Sequence, residues 1–153
     1  MPINRENVEA LKAMMRAKPR SYSQQTFGKF VNDSVAECNT ECCMAGFCRI
    51  AEVGLPQYMQ ELLKSKGDTD EELTSFDFNE LCVESGLRFL GISRYDECPS
   101  IFDGHYCWPK DLSEAYRGAE NPVERVEVAC RALDRLQEDG SIGRSALFEV
   151  PQL

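Results

Sequence analysis

The segment ECCMAGFCRIAEV, residues 41–53, constrains the fold more than any other part of the chain. Only three of its thirteen residues are charged, so a helix formed here is apolar on almost every side, and such a helix is normally buried inside a domain. Gly46, in the middle, costs about 1 kcal/mol relative to alanine, which favours close approach of another backbone there. The segment therefore predicts a buried central helix over residues 41–53, with Thr40 as its N-cap and Gly54 at its end.

Apolar residues recur at helical spacing through most of the remaining chain. The first helix is predicted over residues 5–17 behind Asn4, and the last begins at Pro122 behind Asn121, because asparagine is a strong N-cap and proline suits the first helical position. Further helices are predicted over residues 57–66, over residues 78–90 behind Asp77, and after Pro109. Alternating strand patterns are nearly absent. The sequence therefore predicts a mainly α-helical fold of about five to seven helices.

The predicted domain organisation is simple. With 153 residues, the chain has the size of one domain. We predict a single compact helical domain over residues 1–143, followed by a C-terminal tail over residues 144–153 that is either docked or flexible. The hydrophobic fraction of 42% is normal for a globular protein and argues against wholesale disorder.

The net charge of −9 limits the classes of partner. An excess of acidic residues disfavours binding to nucleic acids and to anionic membranes, where lysine and arginine must neutralise phosphates. The same charge favours a basic protein as partner. The sequence has no apolar run of about 18 residues and no signal-peptide core near its N-terminus, so we expect a cytoplasmic protein that does not enter a membrane.

The ten residues CNTECCMAGF, at positions 38–47, carry a distinctive pattern of cysteines and small residues. They resemble a Cys-Gly-Thr-x-x-Cys-x-Ala-Gly-Trp motif found in small uncharacterised proteins of phages and bacteria, with Asn39 in place of the glycine and Phe47 in place of the tryptophan. The matching residues are Cys38, Thr40, Cys43, Ala45 and Gly46. The resemblance covers residues 10–140 and implies a compact, mostly helical intracellular protein of a phage or a prophage-bearing bacterium. It implies no catalytic residues.

The eight cysteines raise the question of a metal site. Cys38 and Cys43 flank the predicted start of the central helix, and His105 and Cys107 lie on a later turn. Together they form a Cys3His set, which zinc accepts. The spacings Cys-x4-Cys and His-x-Cys differ from those of common zinc modules, and cysteine is among the most buried residue types. We therefore expect buried free thiols and no cofactor, with zinc at these four residues as the alternative.

A reactive thiol is a further hypothesis for the same region. The predicted central helix places Cys42 and Cys43 in its first turn, where the helix dipole lowers the pKa of a thiol. His105 is the only histidine of the chain, and it is therefore the conventional base for a Cys-His pair. Catalysis requires the two side chains to be in contact, which the sequence does not establish.

Aromatic residues concentrate between positions 95 and 116. Packing in the core is the default interpretation. A surface patch that binds a partner protein is the alternative, because tyrosine and tryptophan are enriched at interfaces. The residues concerned are Tyr95, Phe102, Tyr106, Trp108 and Tyr116.

The favoured functional prediction is a non-enzymatic interaction protein, a small acidic phage or bacterial accessory factor that binds and modulates another protein. The sequence has strong capping and packing signals but no phosphate-binding GxxxxGK[ST] or GxGxxG motif. One alternative is a metal- or thiol-dependent site built from Cys38, Cys43, His105 and Cys107. The other is a protein that sequesters a small ligand, such as a nucleotide, in a pocket between helices.

Overall fold

The computed structural model describes residues 3–24, 26–30, 40–66, 74–92 and 101–143. Six α-helices form within these residues, so the prediction of a mainly helical fold with five to seven helices is confirmed. The helices are α1 (Arg5–Ala17), α2 (Met44–Val53), α3 (Leu55–Lys66), α4 (Ser75–Leu90), α5 (Lys110–Gly118) and α6 (Pro122–Asp139). Two short strands, β1 (Lys29–Phe30) and β2 (Thr40–Glu41), pair antiparallel. The predicted tail, residues 144–153, lies outside the described residues.

Helix α2 begins three residues later than predicted. Its N-cap is Cys43, whose backbone is extended with φ −81° and ψ −174°, while the predicted cap Thr40 lies in β2. The reason is long-range backbone pairing. The Cys42 N–H donates to the Ser21 carbonyl at 2.8 Å, and the Cys42 carbonyl accepts from the Ser23 N–H at 2.9 Å. These bonds keep the chain extended up to the helix.

The first part of α2 is buried as predicted. Residues 44–49 are all buried, and only the last turn contains exposed residues. Helix α2 packs chiefly against α4 and also contacts α1 and α3. A β-carbon built on Gly46 would lie 2.7 Å from the Phe27 carbonyl oxygen and 2.5 Å from the Cys42 β-carbon. The close backbone approach predicted at Gly46 is therefore confirmed.

Arg49 connects α2 to two neighbouring helices. Its guanidinium donates to both carboxylate oxygens of Glu61 in α3, at 2.9 and 2.6 Å, and to the Ser85 hydroxyl in α4 at 3.2 Å. The Arg49 side chain is 9% exposed and that of Glu61 is 15% exposed. This ion pair is therefore nearly buried. In it the Glu61 carboxylate neutralises the charge of Arg49, which lies in the otherwise apolar helix α2.

The first and last helices pack against each other. Lys12 of α1 forms an ion pair with Asp134 of α6 at 2.6 Å, and Arg16 forms a bidentate pair with Glu127 at 2.9 Å. Beneath these pairs lies a common apolar core. Its members from the two helices are Val8, Leu11, Met15, Val126, Val128, Ala129, Cys130, Ala132, Leu133 and Leu136.

The helix caps differ in how well they were predicted. Asn4 and Asn121 cap α1 and α6 as expected. The expected cap of α4, Asp77, is wrong because α4 begins at Ser75 behind Thr74. The Thr74 hydroxyl accepts from the Asp77 N–H at 3.1 Å, and the Asp77 carboxylate accepts from the Thr74 N–H at 3.3 Å. This reciprocal capping box fixes the start of α4.

Candidate functional site

Two of the four predicted metal ligands line one cavity of about 320 Å³. Cys43 reaches it from the start of α2, and Cys107 reaches it from the 3-10 turn at His105–Cys107. The other lining residues come from the two connecting segments, 24–27 and 102–106. They are Gln24, Thr26, Phe27, Phe102, Asp103, Gly104 and Tyr106. The structure therefore brings the two thiols to a common space.

His105 does not line that cavity. Its ring is stacked on Tyr116, with ring centroids 4.5 Å apart and planes 17° apart, and it faces a second cavity. Burial, and secondly the charge of Arg117, lower the pKa of His105. The imidazole is therefore neutral at pH 7 and packs as an aromatic ring. The structure does not support the predicted Cys-His pair, because the imidazole and the Cys43 thiol line different cavities.

The zinc alternative stays a prediction, because the structure describes only three of its four residues. No group of three or more His, Cys, Asp or Glu side chains converges there in a way that could hold a metal ion. Cys38 lies outside the described residues. Since His105 lines a different cavity, the predicted set retains only Cys43 and Cys107 around a common space.

The Cys43 thiol shows two opposing electrostatic effects. Burial raises its pKa to about 11, although the backbone N–H groups of Gly46 and Ala45 act in the opposite direction. The helix start therefore has the lowering effect that the sequence predicted, but desolvation is larger. Cys42 precedes α2 and Cys43 is its N-cap, so the predicted position of both residues in the first helical turn is wrong. Both observations fit structural thiols.

We predict that Cys107 is alkylated before Cys43 in the folded protein. Cys107 is the only partly exposed cysteine among the six described ones; the others are buried. A pKa of about 11 for Cys43 leaves a thiolate fraction at pH 7.5 roughly 300-fold below that of an ordinary cysteine. Mass spectrometry after timed exposure to iodoacetamide, with urea-unfolded protein as the control, measures both rates. If Cys43 in the folded protein reacts as fast as Cys107, Cys43 is an activated thiolate and the prediction is wrong.

The predicted aromatic partner patch is mostly core. Phe102, Trp108 and Tyr116 are 1%, 0% and 7% exposed, so the default interpretation, packing in the core, is confirmed for these three residues and the alternative of a contact surface is wrong for them. Only Tyr106 is exposed, at 51%, and Tyr95 lies outside the described residues. A buried amide contributes to this arrangement. The Gln24 side chain donates to the carbonyls of residues 101 and 103, in the turn that contains Phe102 and precedes Trp108 and Tyr116, at 2.9 and 2.7 Å. These bonds hold the turn against the domain.

Among the described residues, the most exposed large apolar side chain is that of Phe76, 69% exposed in the first turn of α4. It borders an open depression of about 420 Å³ together with Asn79, Glu80, Val83 and Glu84. We call these five residues the α4 face. The predicted helix started at residue 78, so the sequence analysis missed this face. The Thr-Ser-Phe-Asp sequence at 74–77 was the available signal, since it matches a capping box.

Comparisons with protein-family models, with curated proteins and with solved structures find no match to this chain. The resemblance of residues 38–47 to the phage and bacterial motif is untested by them and stays a prediction. Among the described residues, no helix combines the length and the apolar character that crossing a membrane requires. The partners of the protein must therefore be inferred from the surfaces and cavities of the chain.

Proposed function

We propose that the protein is a non-enzymatic acidic accessory factor that binds a basic protein segment through the α4 face. The observation that carries this proposal is the exposure of Phe76, at 69%. Large aromatic side chains contribute much of the binding energy at protein interfaces, where they anchor a partner by losing their contact with water. The α4 face thus offers an apolar anchor on the outside of the domain.

The position of Phe76 follows from the way α4 starts. The capping box at Thr74 makes Ser75 the first helical residue and Phe76 the second. Two residues further, Phe78 is 2% exposed and packs on Tyr58 with ring centroids 5.6 Å apart. Since residues two apart in a helix do not share a face, burial of Phe78 directs Phe76 outward. The start of α4 and the burial of Phe78 therefore determine that the Phe76 ring is exposed.

The charges around the α4 face select the chemistry of the partner. Glu80 and Glu84 line the depression, and none of its described lining residues is a cation. The chain as a whole carries a net charge of −9, which attracts basic partners at long range. The nearest cation along α4, Arg88, is already bound to Glu52 at 2.6 Å. A basic amphipathic helix, with apolar residues toward Phe76 and Val83, fits this arrangement.

We predict that Phe76→Ser weakens binding of the native partner about tenfold or more, since loss of an interfacial aromatic anchor costs on the order of 2 kcal/mol. The partner is first captured from host lysate with the parent protein and identified, and its affinity is then measured with purified components. Val123→Ser is the matched control. Val123 is 58% exposed and is likewise the second residue of its helix, α6.

Two results would contradict the proposal. Equal loss of affinity in Phe76→Ser and Val123→Ser would show that the α4 face is not the contact surface. Unchanged affinity in Glu80→Gln and Glu84→Gln, together with no weakening at high salt, would show that the partner is not basic. Circular dichroism checks that the variants fold, as expected for substitutions at exposed positions.

A further inference from the structure

The second cavity, which His105 faces, has a volume of about 330 Å³. It lies where the end of α5 and the first turns of α6 meet the segment around Tyr22. Its walls are mainly polar and aromatic. The lining residues are Tyr22, Ser23, Glu41, His105, Tyr116, Arg117, Ala119 and Arg125.

Arg117 and Arg125 are the notable members of this cavity. Neither forms an ion pair with a carboxylate within the part of the chain that the structure describes. By contrast, Arg16, Arg88 and Arg135 are each held by a carboxylate. Arg5, Arg20 and Arg131 also lack a carboxylate partner within the described residues, so what distinguishes Arg117 and Arg125 is that both line the same cavity.

The charge balance of the cavity is positive. Arg117 is exposed and Arg125 is half-buried, so both can turn their donors toward a ligand. The imidazole of His105 is neutral at pH 7 because burial and Arg117 lower its pKa. Glu41 contributes the only carboxylate of the lining. Two positive charges and one negative charge leave a net charge of +1, opposite in sign to the whole protein.

We propose that this cavity binds a small phosphate monoester, with its phosphate held between Arg117 and Arg125. The planar guanidinium group presents paired N–H donors that match phosphate oxygens, and two guanidinium groups match the charge of a phosphate dianion. The proposal goes beyond binding of a protein at the α4 face and does not depend on it. It gives a specific location to the alternative function, sequestration of a small ligand.

The size and walls of the cavity define the rest of the ligand. A volume of about 330 Å³ lies at the lower end of ligand sites, which span about 300–1,000 Å³, so it suits a small phosphate monoester up to the size of a nucleoside monophosphate. The rings of Tyr22 and Tyr116 meet edge to face with centroids 6.3 Å apart. The two side chains are only 5% and 7% exposed, so they form a firm base for the cavity. A nucleoside monophosphate is therefore the appropriate probe.

The test is calorimetric titration and thermal melting of the full chain with adenosine monophosphate, inorganic phosphate, adenosine and succinate, at ionic strength matched with sodium chloride. We expect adenosine monophosphate and phosphate to bind at millimolar concentrations or below and to raise the Tm, and we expect the monophosphate to bind more tightly. Adenosine should not bind detectably, because it lacks the phosphate. Succinate should bind more weakly than phosphate.

Arg117→Gln and Arg125→Gln should each weaken binding of the monophosphate about tenfold or more, since a charge-assisted hydrogen bond contributes about 1.5–3 kcal/mol. Arg131→Gln is the control, because Arg131 is exposed on the same helix as Arg125 and lies outside the cavity lining. It changes the net charge equally and should leave the affinity unchanged. Circular dichroism verifies that all three variants fold.

Three outcomes would overturn the proposal. The first is no heat and no Tm shift with either phosphate compound at millimolar concentrations. The second is equal weakening by Arg131→Gln and by the two cavity variants, which would indicate a non-specific charge effect. The third is tighter binding of succinate than of phosphate, which would assign the cavity to carboxylates.

Discussion

Replacing Glu61 with alanine is expected to lower the free energy of unfolding by about 3–5 kcal/mol, the usual cost of removing one member of a buried ion pair. Arg49 would keep its position in α2, where its side chain is 9% exposed, but would lose both short bonds to the Glu61 carboxylate. Its remaining described partners would be Ser85 at 3.2 Å and Glu52 at 3.5 Å. These longer contacts compensate little for the lost Glu61 carboxylate. The nearly buried charge of Arg49 then destabilises the packing of α2 on α3 and α4.

Urea unfolding followed by circular dichroism measures this loss, and Glu127→Ala is the matched control. Glu127 also forms a bidentate pair with an arginine, Arg16, but both side chains are about half exposed, at 50% and 47%. An exposed pair contributes only about 0–1 kcal/mol, since water solvates both partners when the pair is broken. Similar losses of unfolding free energy in Glu61→Ala and Glu127→Ala would show that burial does not strengthen the contribution of the Arg49 pair.

Gly46→Ala is expected to destabilise the protein by about 1–3 kcal/mol, although alanine is the better helix former. The added β-carbon would lie 2.7 Å from the Phe27 carbonyl oxygen and 2.5 Å from the Cys42 β-carbon. Neither neighbour is the end of a flexible side chain, and Cys42 is fixed by backbone bonds on both sides. The helix must therefore move away from the segment it contacts. Leucine at this position should destabilise the protein further.

Gly118→Ala is the control, because its expected effect on stability has the opposite sign. Gly118 is the last residue of α5, and no heavy atom lies within 4 Å of the position of its β-carbon. Alanine there should leave stability unchanged or raise it by up to about 1 kcal/mol, because it reduces the freedom of the unfolded chain. Thermal melting of both variants shows whether each substitution raises or lowers the Tm relative to the parent. A Gly46→Ala variant that melts no lower than the parent would show that the close approach is wrong.

Local signals in the sequence predicted the features of the fold that depend on neighbouring residues. The N-caps Asn4 and Asn121 act on backbone groups within a few positions. The glycine inside an apolar helix was itself the local signal for the close approach at Gly46, although the Phe27 carbonyl that it meets is distant in the sequence. The start of α2 could not be predicted in this way. Thr40 is a good N-cap by composition, but it lies in a strand because the residues that follow it bond to a segment about twenty positions earlier. Tertiary pairing overrode local preference.

The candidate sites were less predictable than the fold, for the same reason. Cys43 and Cys107 meet at one cavity, as the predicted metal set requires, but stacking on Tyr116 places the His105 ring on another. Phe76 falls outside the predicted helix, because that helix begins at residue 78 behind Asp77, whereas α4 begins at Ser75. Arg117 and Arg125 come together only through the angle between α5 and α6, which no pattern along the chain specifies.

The packing of α1 on α6 determines when the protein can complete its fold during synthesis. The carboxylates that pair with Lys12 and Arg16 lie 122 and 111 residues later in the chain, so α1 leaves the ribosome long before the helix with which it pairs. Until then α1, which carries the buried residues Leu11 and Met15, lacks the helix against which it chiefly packs. Such distant pairing slows folding and prolongs the exposure of apolar residues. Nascent chains that stop before α6 should therefore depend on chaperones.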